Sequence, residues 1–172
     1  MAADSVDPVD LAAMRRQLGR PMRDVVAIAH RCPCGAPDVV TTRPRLTDGT
    51  PFPTLYYLTC PRANSAISRL EADGVMRQIQ DRLADDPQLA NAYRLAHEDY
   101  LAERESIASV PEISGVSAGG MPDRVKCLHV LAAHALAAGP GVNPLGDEVL
   151  AAVGPWWLQR DCTDGQIDEP QL

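Results

Sequence analysis

G-G-M-P-D-R-V-K-C-L-H-V-L-A-A-H-A-L-A-A-G, from Gly119 to Gly139, reads as one helix with both ends marked. Asp123 after Pro122 suits an N-terminal cap, and Gly139 followed by Pro140 suits a stop. Between them Val125, Leu128, Val130, Leu131, Ala132, Ala133, Ala135 and Leu136 leave no wide polar face, which is the pattern of a buried helix. The same stretch carries Arg124, Lys126, Cys127, His129 and His134. Reactive side chains on the helix that should form the centre of the molecule are the first pointer to a site.

On either side of this helix the chain divides into a strand-rich front and a helical remainder. Pro8 to Gly19 forms a short amphipathic helix with Leu11, Met14 and Leu18 on one stripe. Val25–His30, Val39–Thr42 and Leu55–Thr59 read as three strands, separated by the Pro/Gly-rich turn 31–37 and a loop around Asp48-Gly49. Short links make an antiparallel meander, in which the first and third strands run the same way. Cys32 and Cys60 should then emerge at one end of the sheet.

From Pro61 the pattern is helical: a stripe Ala63, Ala66, Ile67, Leu70 ends at Gly74, and Val75, Ile79, Leu83 mark a short helix. A longer helix follows Asp86-Pro87, with His97 and Glu98 read as solvated helix residues. Ser106 to Gly120 reads as a flexible linker, and Asp147 to about Val153 as a last helix after a turn at Asn143–Gly146. The fold expected is α+β: a small antiparallel sheet packed against four or five helices, one of them central and buried. Residues 1–158 are expected to form one domain, and 159–172 an acidic, disordered tail that contains Cys162.

With 172 residues and 45% apolar content the chain can build one real core. A net charge of -7, spread along the chain, argues against nucleic acid as a partner. No apolar run is long enough to cross a membrane and no secretory leader is visible, so a cytoplasmic protein is expected. Five cysteines in a reducing compartment argue against a disulfide framework. Of sixteen basic residues only Lys126 is lysine. Arg15, Arg16, Arg20 and Arg23 cluster near Gly19, as a solvated basic face or an anion-facing loop.

Two chemistries compete. The first is a metal site, with zinc as cofactor, from Cys32, Cys60, Cys127 and His129, since thiolate and imidazole are zinc's preferred donors. His30, Cys34 and His134 lie close by in sequence. The spacing is imperfect: on a regular helix Cys127 and His129 point about 200° apart, so this helix would offer one ligand unless its first turn is irregular. The second is an anion site from Arg31, Arg124 and Lys126 at the helix start, for phosphate or polyphosphate. The bland counterparts are packed thiols, hydrogen-bonded histidines and solvated cations. A reactive thiol at Cys127 or Cys60 is a third reading. Gly115-Val116-Ser117-Ala118-Gly119 matches a hydrolase elbow, but it lacks the strand before it and the helix directly after it.

The blocks R-C-P-C-G-A-P-D-V-V, P-F-P-T-L-Y-Y-L-T-C-P-R, S-R-L-E-A-D-G, R-V-K-C-L-H-V-L-A-A-H and N-P-L-G together resemble the bacterial family called domain of unknown function 501, over about Gly19 to Gly146. The family pattern maps onto Arg31, Cys32, Gly35, Pro37, Cys60, Lys126, Cys127 and His129, with Cys34 at a variable position. Family members tend to be encoded beside a small cell-division coiled-coil protein and an exopolyphosphatase. The resemblance therefore implies no reaction, but it lends weight to a phosphate ligand or to an adaptor role with a protein partner in those processes. The Trp156-Trp157 pair would suit such a surface, or the edge of the core.

Overall fold

A computed structural model of the protein describes residues 6–158 and 161–163. Its helices are set by local chemistry at their ends. Helix α1 (Pro8–Leu18) is capped by Asp7, whose Oδ1 accepts from the Asp10 amide at 2.8 Å, and ends at Gly19 with φ 67°. Three strands follow, β1 (Val25–Arg31), β2 (Pro37–Thr42) and β3 (Tyr56–Leu58). They pair antiparallel in the order β1-β2-β3, the expected meander, with Ile28 opposite Val40 and Val39 opposite Leu58. The helical remainder is α2 (Pro61–Ala72), α3 (Val75–Asp85), α4 (Pro87–Ile107), α5 (Leu128–Ala138) and α6 (Pro144–Val153). Short 3-10 turns cover Pro111–Ile113 and Trp156–Leu158. The described residues thus form six α-helices with the sheet, an α+β fold.

All six residues of β2 are buried. One face of the sheet carries a small cluster of Met14, Ile28 and Val40 under α1. The main core lies on the other face, where Val39, Leu55 and Leu58 meet Leu128, Leu131, Ala132, Tyr93, Tyr100 and Leu145. Helix α5 is the central element, packed on α6, β3 and α2. Burying Leu128 and Leu131 contributes about 1.5–3 kcal/mol each.

Three expectations need correction. The central helix starts at Leu128, not near Asp123. Gly119 and Gly120 hold φ 76° and 90°, and the bonds Arg124 N–H to Gly120 O and Lys126 N–H to Gly119 O fold residues 119–126 into turns. Tertiary bonds then occupy groups that a longer helix would use: Tyr93 Oη donates to Arg124 O at 3.0 Å, and the Val125 amide donates to Gln80 Oε1 at 3.0 Å. Segment 106–120 is packed rather than a flexible linker. Arg104, 2% exposed, donates to the carbonyls of Ile113 and Val116, while Val110, Ile113, Ser117 and Ala118 are buried. The last helix starts at Pro144, because Asn143 Oδ1 accepts the Gly146 amide at 3.0 Å and so caps it.

Candidate functional site

The turn after β1 is built tightly. The Cys32 amide donates to Ala36 O at 3.0 Å, the Gly35 amide donates to Cys32 O at 2.7 Å, and Gly35 holds φ 88°, where a side chain would be strained. This turn directs Cys32 and Cys34 together. Cys60, the residue before Pro61 at the first position of α2, reaches the same end of the sheet because β1 and β3 run parallel in the meander. Cys162 comes in from beyond α6 and is 1% exposed, and Arg62 Nε holds the carbonyl of its neighbour Asp161 at 3.1 Å. Cys162 Sγ lies 2.8 Å from Cys60 Sγ and 3.4 Å from Cys32 Sγ. The sulphurs of Cys32, Cys34 and Cys162 all lie within 4.8 Å of one another.

Backbone amides beside these sulphurs favour their thiolates: that of Cys34 lowers Cys32, those of Ala36 and Cys162 lower Cys34, and those of Arg62 and Ala63 lower Cys60. Burial pushes the Cys32 thiol up to about 11. The Cys60 side chain, followed by burial, pushes Cys162 up as well. Cys60 is lowered, first by its bond to Cys162 and then by the amides beside it. A group of buried sulphurs of this kind resists carrying several charges unless a cation shares them.

The other two residues of the expected metal set, Cys127 and His129, belong to a different group. They gather with Glu71 of α2, and one donor atom from each of the three residues lies within 4.8 Å of the others. Cys127 stands just before α5 in extended conformation (φ −157°, ψ 113°), so the regular-helix angle does not apply to it. Its Sγ lies 3.8 Å from His129 Nδ1. Glu71 Oε1 is 3.3 Å from His129 Nδ1 and accepts the Leu128 amide at 2.7 Å, so α2 caps α5. His129 Nε2 faces Asn64 O at 3.2 Å and Ser68 Oγ at 3.3 Å.

The remaining candidates are dispersed. Arg31 forks the Asp10 carboxylate of α1 at 2.7 and 2.9 Å. Arg124 and Lys126 are exposed and lie in the turns before α5, not on its first turn. Arg20 and Arg23 line a hollow that also holds Asp24 and Asp48. His30 Nδ1 pairs with buried Asp38 at 2.7 Å. His134 is wholly buried, with Nε2 2.9 Å from Asp99 Oδ2, Nδ1 3.2 Å from Asn143 Nδ2 and its ring stacked on Tyr56. Burial pushes its pKa down, against the Asp99 carboxylate beside it, and its partners mark it as a hydrogen-bonded core histidine.

His97 is buried rather than solvated, with Nδ1 2.9 Å from Ser117 Oγ. Ser117 Oγ also faces the carbonyls of Ala118 and Met121 at 3.4 and 3.3 Å, a packed polar knot rather than an exposed elbow. Trp156 and Trp157 meet edge to face at 4.8 Å, half-buried against the core.

Cys34, Cys162 and Glu71 are the members that sequence reasoning undervalued. Cys34 had a signal, the C-x-C-G turn at the end of a strand. Glu71 and Cys162 had none, since both are placed by tertiary packing.

No helix among the described residues is long and apolar enough to cross a membrane. In comparisons with known proteins, the profile of the family described as "Protein of unknown function (DUF501)" matches residues 28–151. No curated protein and no solved structure matches the chain.

Proposed function

The chain belongs to the DUF501 family, and from that footing we propose that it is a zinc-binding protein whose metal is held by Cys32, Cys34, Cys60 and Cys162. The observation that carries this reading is the meeting of sulphurs from three distant parts of the chain at Cys162: its Sγ lies 2.8 Å from Cys60 and 3.4 Å from Cys32, and Cys32, Cys34 and Cys162 form one group within 4.8 Å, with Cys60 at its edge. A four-thiolate tetrahedron with Zn–S of about 2.3 Å has edges of about 3.7 Å. Metal entry therefore asks Cys60 and Cys162 to part by roughly 1 Å, the Cys32 contact to relax by a few tenths, and Cys60 to draw in by about 1 Å or more toward the Cys32–Cys34 pair, outside whose 4.8 Å group it stands. Backbone amides beside the thiolates would steady the negative charge that such ligands carry. With four protein ligands the site is closed, so its role is structural. It fastens residues 161–163 to the end of the sheet and closes chain separations of 102 and 130 residues.

Metal analysis of protein purified without a tag tests this. The expected result is about one equivalent of zinc per chain, lost in Cys34→Ser and in Cys60→Ser. Metal-free protein with all four thiols open to titration under native conditions would refute it. The 2.8 Å approach of Cys60 to Cys162 favours a second reading. In that reading the two thiols give up two hydrogens to an external oxidant and form a disulfide. Intact mass without reductant separates the two: a mass two hydrogens low, with no metal, selects the disulfide.

A further inference from the structure

The group of Glu71, Cys127 and His129 is a second sulphur site, independent of the metal centre. Its parts have directions. Asn64 O is a backbone carbonyl and can only accept, so it fixes the His129 proton on Nε2 at 3.2 Å. Nδ1 is then the basic nitrogen, and it faces Cys127 Sγ at 3.8 Å. Glu71 Oε1 lies 3.3 Å from Nδ1 and is itself anchored by the Leu128 amide at 2.7 Å. When Nδ1 takes the thiol proton, the imidazolium is flanked by a carboxylate and the sulphur is left as thiolate at the start of α5. The side chains of His129 and Glu71 are each 23% exposed, so the group is open to a small reactant. The first-turn amides of α5 have no helical partner. Leu128's goes to Glu71, and Val130's is turned to Cys127.

We propose that Cys127 is a nucleophilic thiol for activated acyl groups, thioesters as the substrate class, with His129 as its base and Glu71 as a positioning residue. In the step, Cys127 Sγ forms a bond to the carbonyl carbon, and the electron pair collects on the carbonyl oxygen. Collapse of that oxyanion breaks the original C–S bond. The leaving thiolate takes the proton from His129 Nδ1, which gives a free thiol and acyl-Cys127. Water, deprotonated by the same nitrogen, hydrolyses the acyl-thiol to a carboxylic acid and restores Cys127.

Two pKa directions agree. Burial raises Cys127, but the bonds to His129 and to the Val130 amide outweigh it, and the net direction is down. His129 is raised to about 9, first by Cys127, against burial. The titratable groups facing Cys127 are His129 of α5, Glu71 of α2 and Tyr100 of α4.

The test uses full-length protein and S-acetyl-N-acetylcysteamine, with the modified residue located by peptide mass. Cys127 should be acetylated in preference to Cys34, the other half-buried thiol. Its reaction with iodoacetamide should persist well below the pH at which an ordinary thiol falls silent. His129→Asn should slow Cys127 acylation about 100-fold, the scale of general-base assistance, and shift the pH profile upward. Glu71→Gln should slow it less and, by removing the carboxylate beside the imidazolium, move the His129-dependent limb of the profile to lower pH. The wild-type pH profile stands even if a variant fails to fold. Equal acylation of Cys127 and Cys34, an ordinary thiol profile at Cys127, or a second zinc equivalent that Cys127→Ser removes would each overturn the proposal. Acylation of Cys34 also reports on the four-cysteine centre, whereas the pH profile of Cys127 does not, and metal content reads that centre separately.

Discussion

Gly146→Ala sets two physical effects of opposite sign against each other. Gly146 is in the first turn of α6, and alanine is favoured over glycine in a helix by about 1 kcal/mol. A Cβ at this position, however, would sit 2.2 Å from Leu131 O and 2.8 Å from Ala135 Cβ, both on α5. Atoms of real structures do not approach so closely, and a backbone oxygen in a buried helix cannot rotate away. The two helices must separate by about 1 Å where their packing is tightest, around Leu131, Leu145 and Val149. Overpacking of this kind costs about 1–3 kcal/mol, and contact with backbone puts it at the upper end. The net loss is then about 2 kcal/mol after the helix gain is subtracted. For a chain of this size that lowers Tm by about 4–8 °C. Thermal unfolding followed by circular dichroism reads it directly, with urea denaturation as a check on the free energy. An unchanged or raised Tm would mean that α6 does not lie against α5 as described, and the reasoning would fail.

Further predictions follow from other contacts. Arg104→Met should cost about 3–5 kcal/mol, since it strands the buried carbonyls of Ile113 and Val116; urea denaturation checks it, and a loss below 1 kcal/mol would show that segment 108–120 does not depend on this residue. Asp86→Ala should cost about 1 kcal/mol, because Asp86 Oδ1 accepts the Gln88 and Leu89 amides at 2.9 and 3.0 Å at the start of α4. His129, raised in the fold to about 9 from an unfolded value near 6.5, contributes stability that is fully present below about pH 6.5 and lost as pH rises through about 9. Denaturation of wild type and His129→Asn at about pH 6 and about pH 10 should therefore show a gap at the lower pH that shrinks at the higher, and a gap that widens with pH contradicts it.

How much of this was legible beforehand depended on where the deciding partner lay. The meander could be read because Val25–Arg31, Pro37–Thr42 and Tyr56–Leu58 carry their own β-branched and aromatic pattern and their own turns. The starts of α1 and α4 could be read because Asp7-Pro8 and Asp86-Pro87 are local caps. The start of α5 could not: Asp123 resembles a cap, while the groups that end the helix are Tyr93, Gln80 and Glu71, each 31 residues or more away. The sulphur chemistry divided in the same way. Cys32 and Cys60 follow from strand direction. Cys34 was marked by the C-x-C-G turn beside Cys32, but separating this pair from Cys127 and His129, and adding Cys162 and Glu71, required packing that no spacing rule encodes.

The cap that Glu71 places on α5 also bears on folding order. A helix whose first amide is satisfied 57 residues upstream has no complete nucleus of its own. An excised peptide spanning Gly119 to Gly139 should show little of the native start at Leu128. In the intact chain, the native start of α5 at Leu128 is completed by α2 packed against it. That closure joins distant residues before local structure is rewarded, so it raises contact order where the core is densest. The meander can form from neighbouring contacts. The docking of α2 on α5 is a non-local step, and Glu71→Ala should slow refolding more than a cap deletion such as Asp86→Ala does.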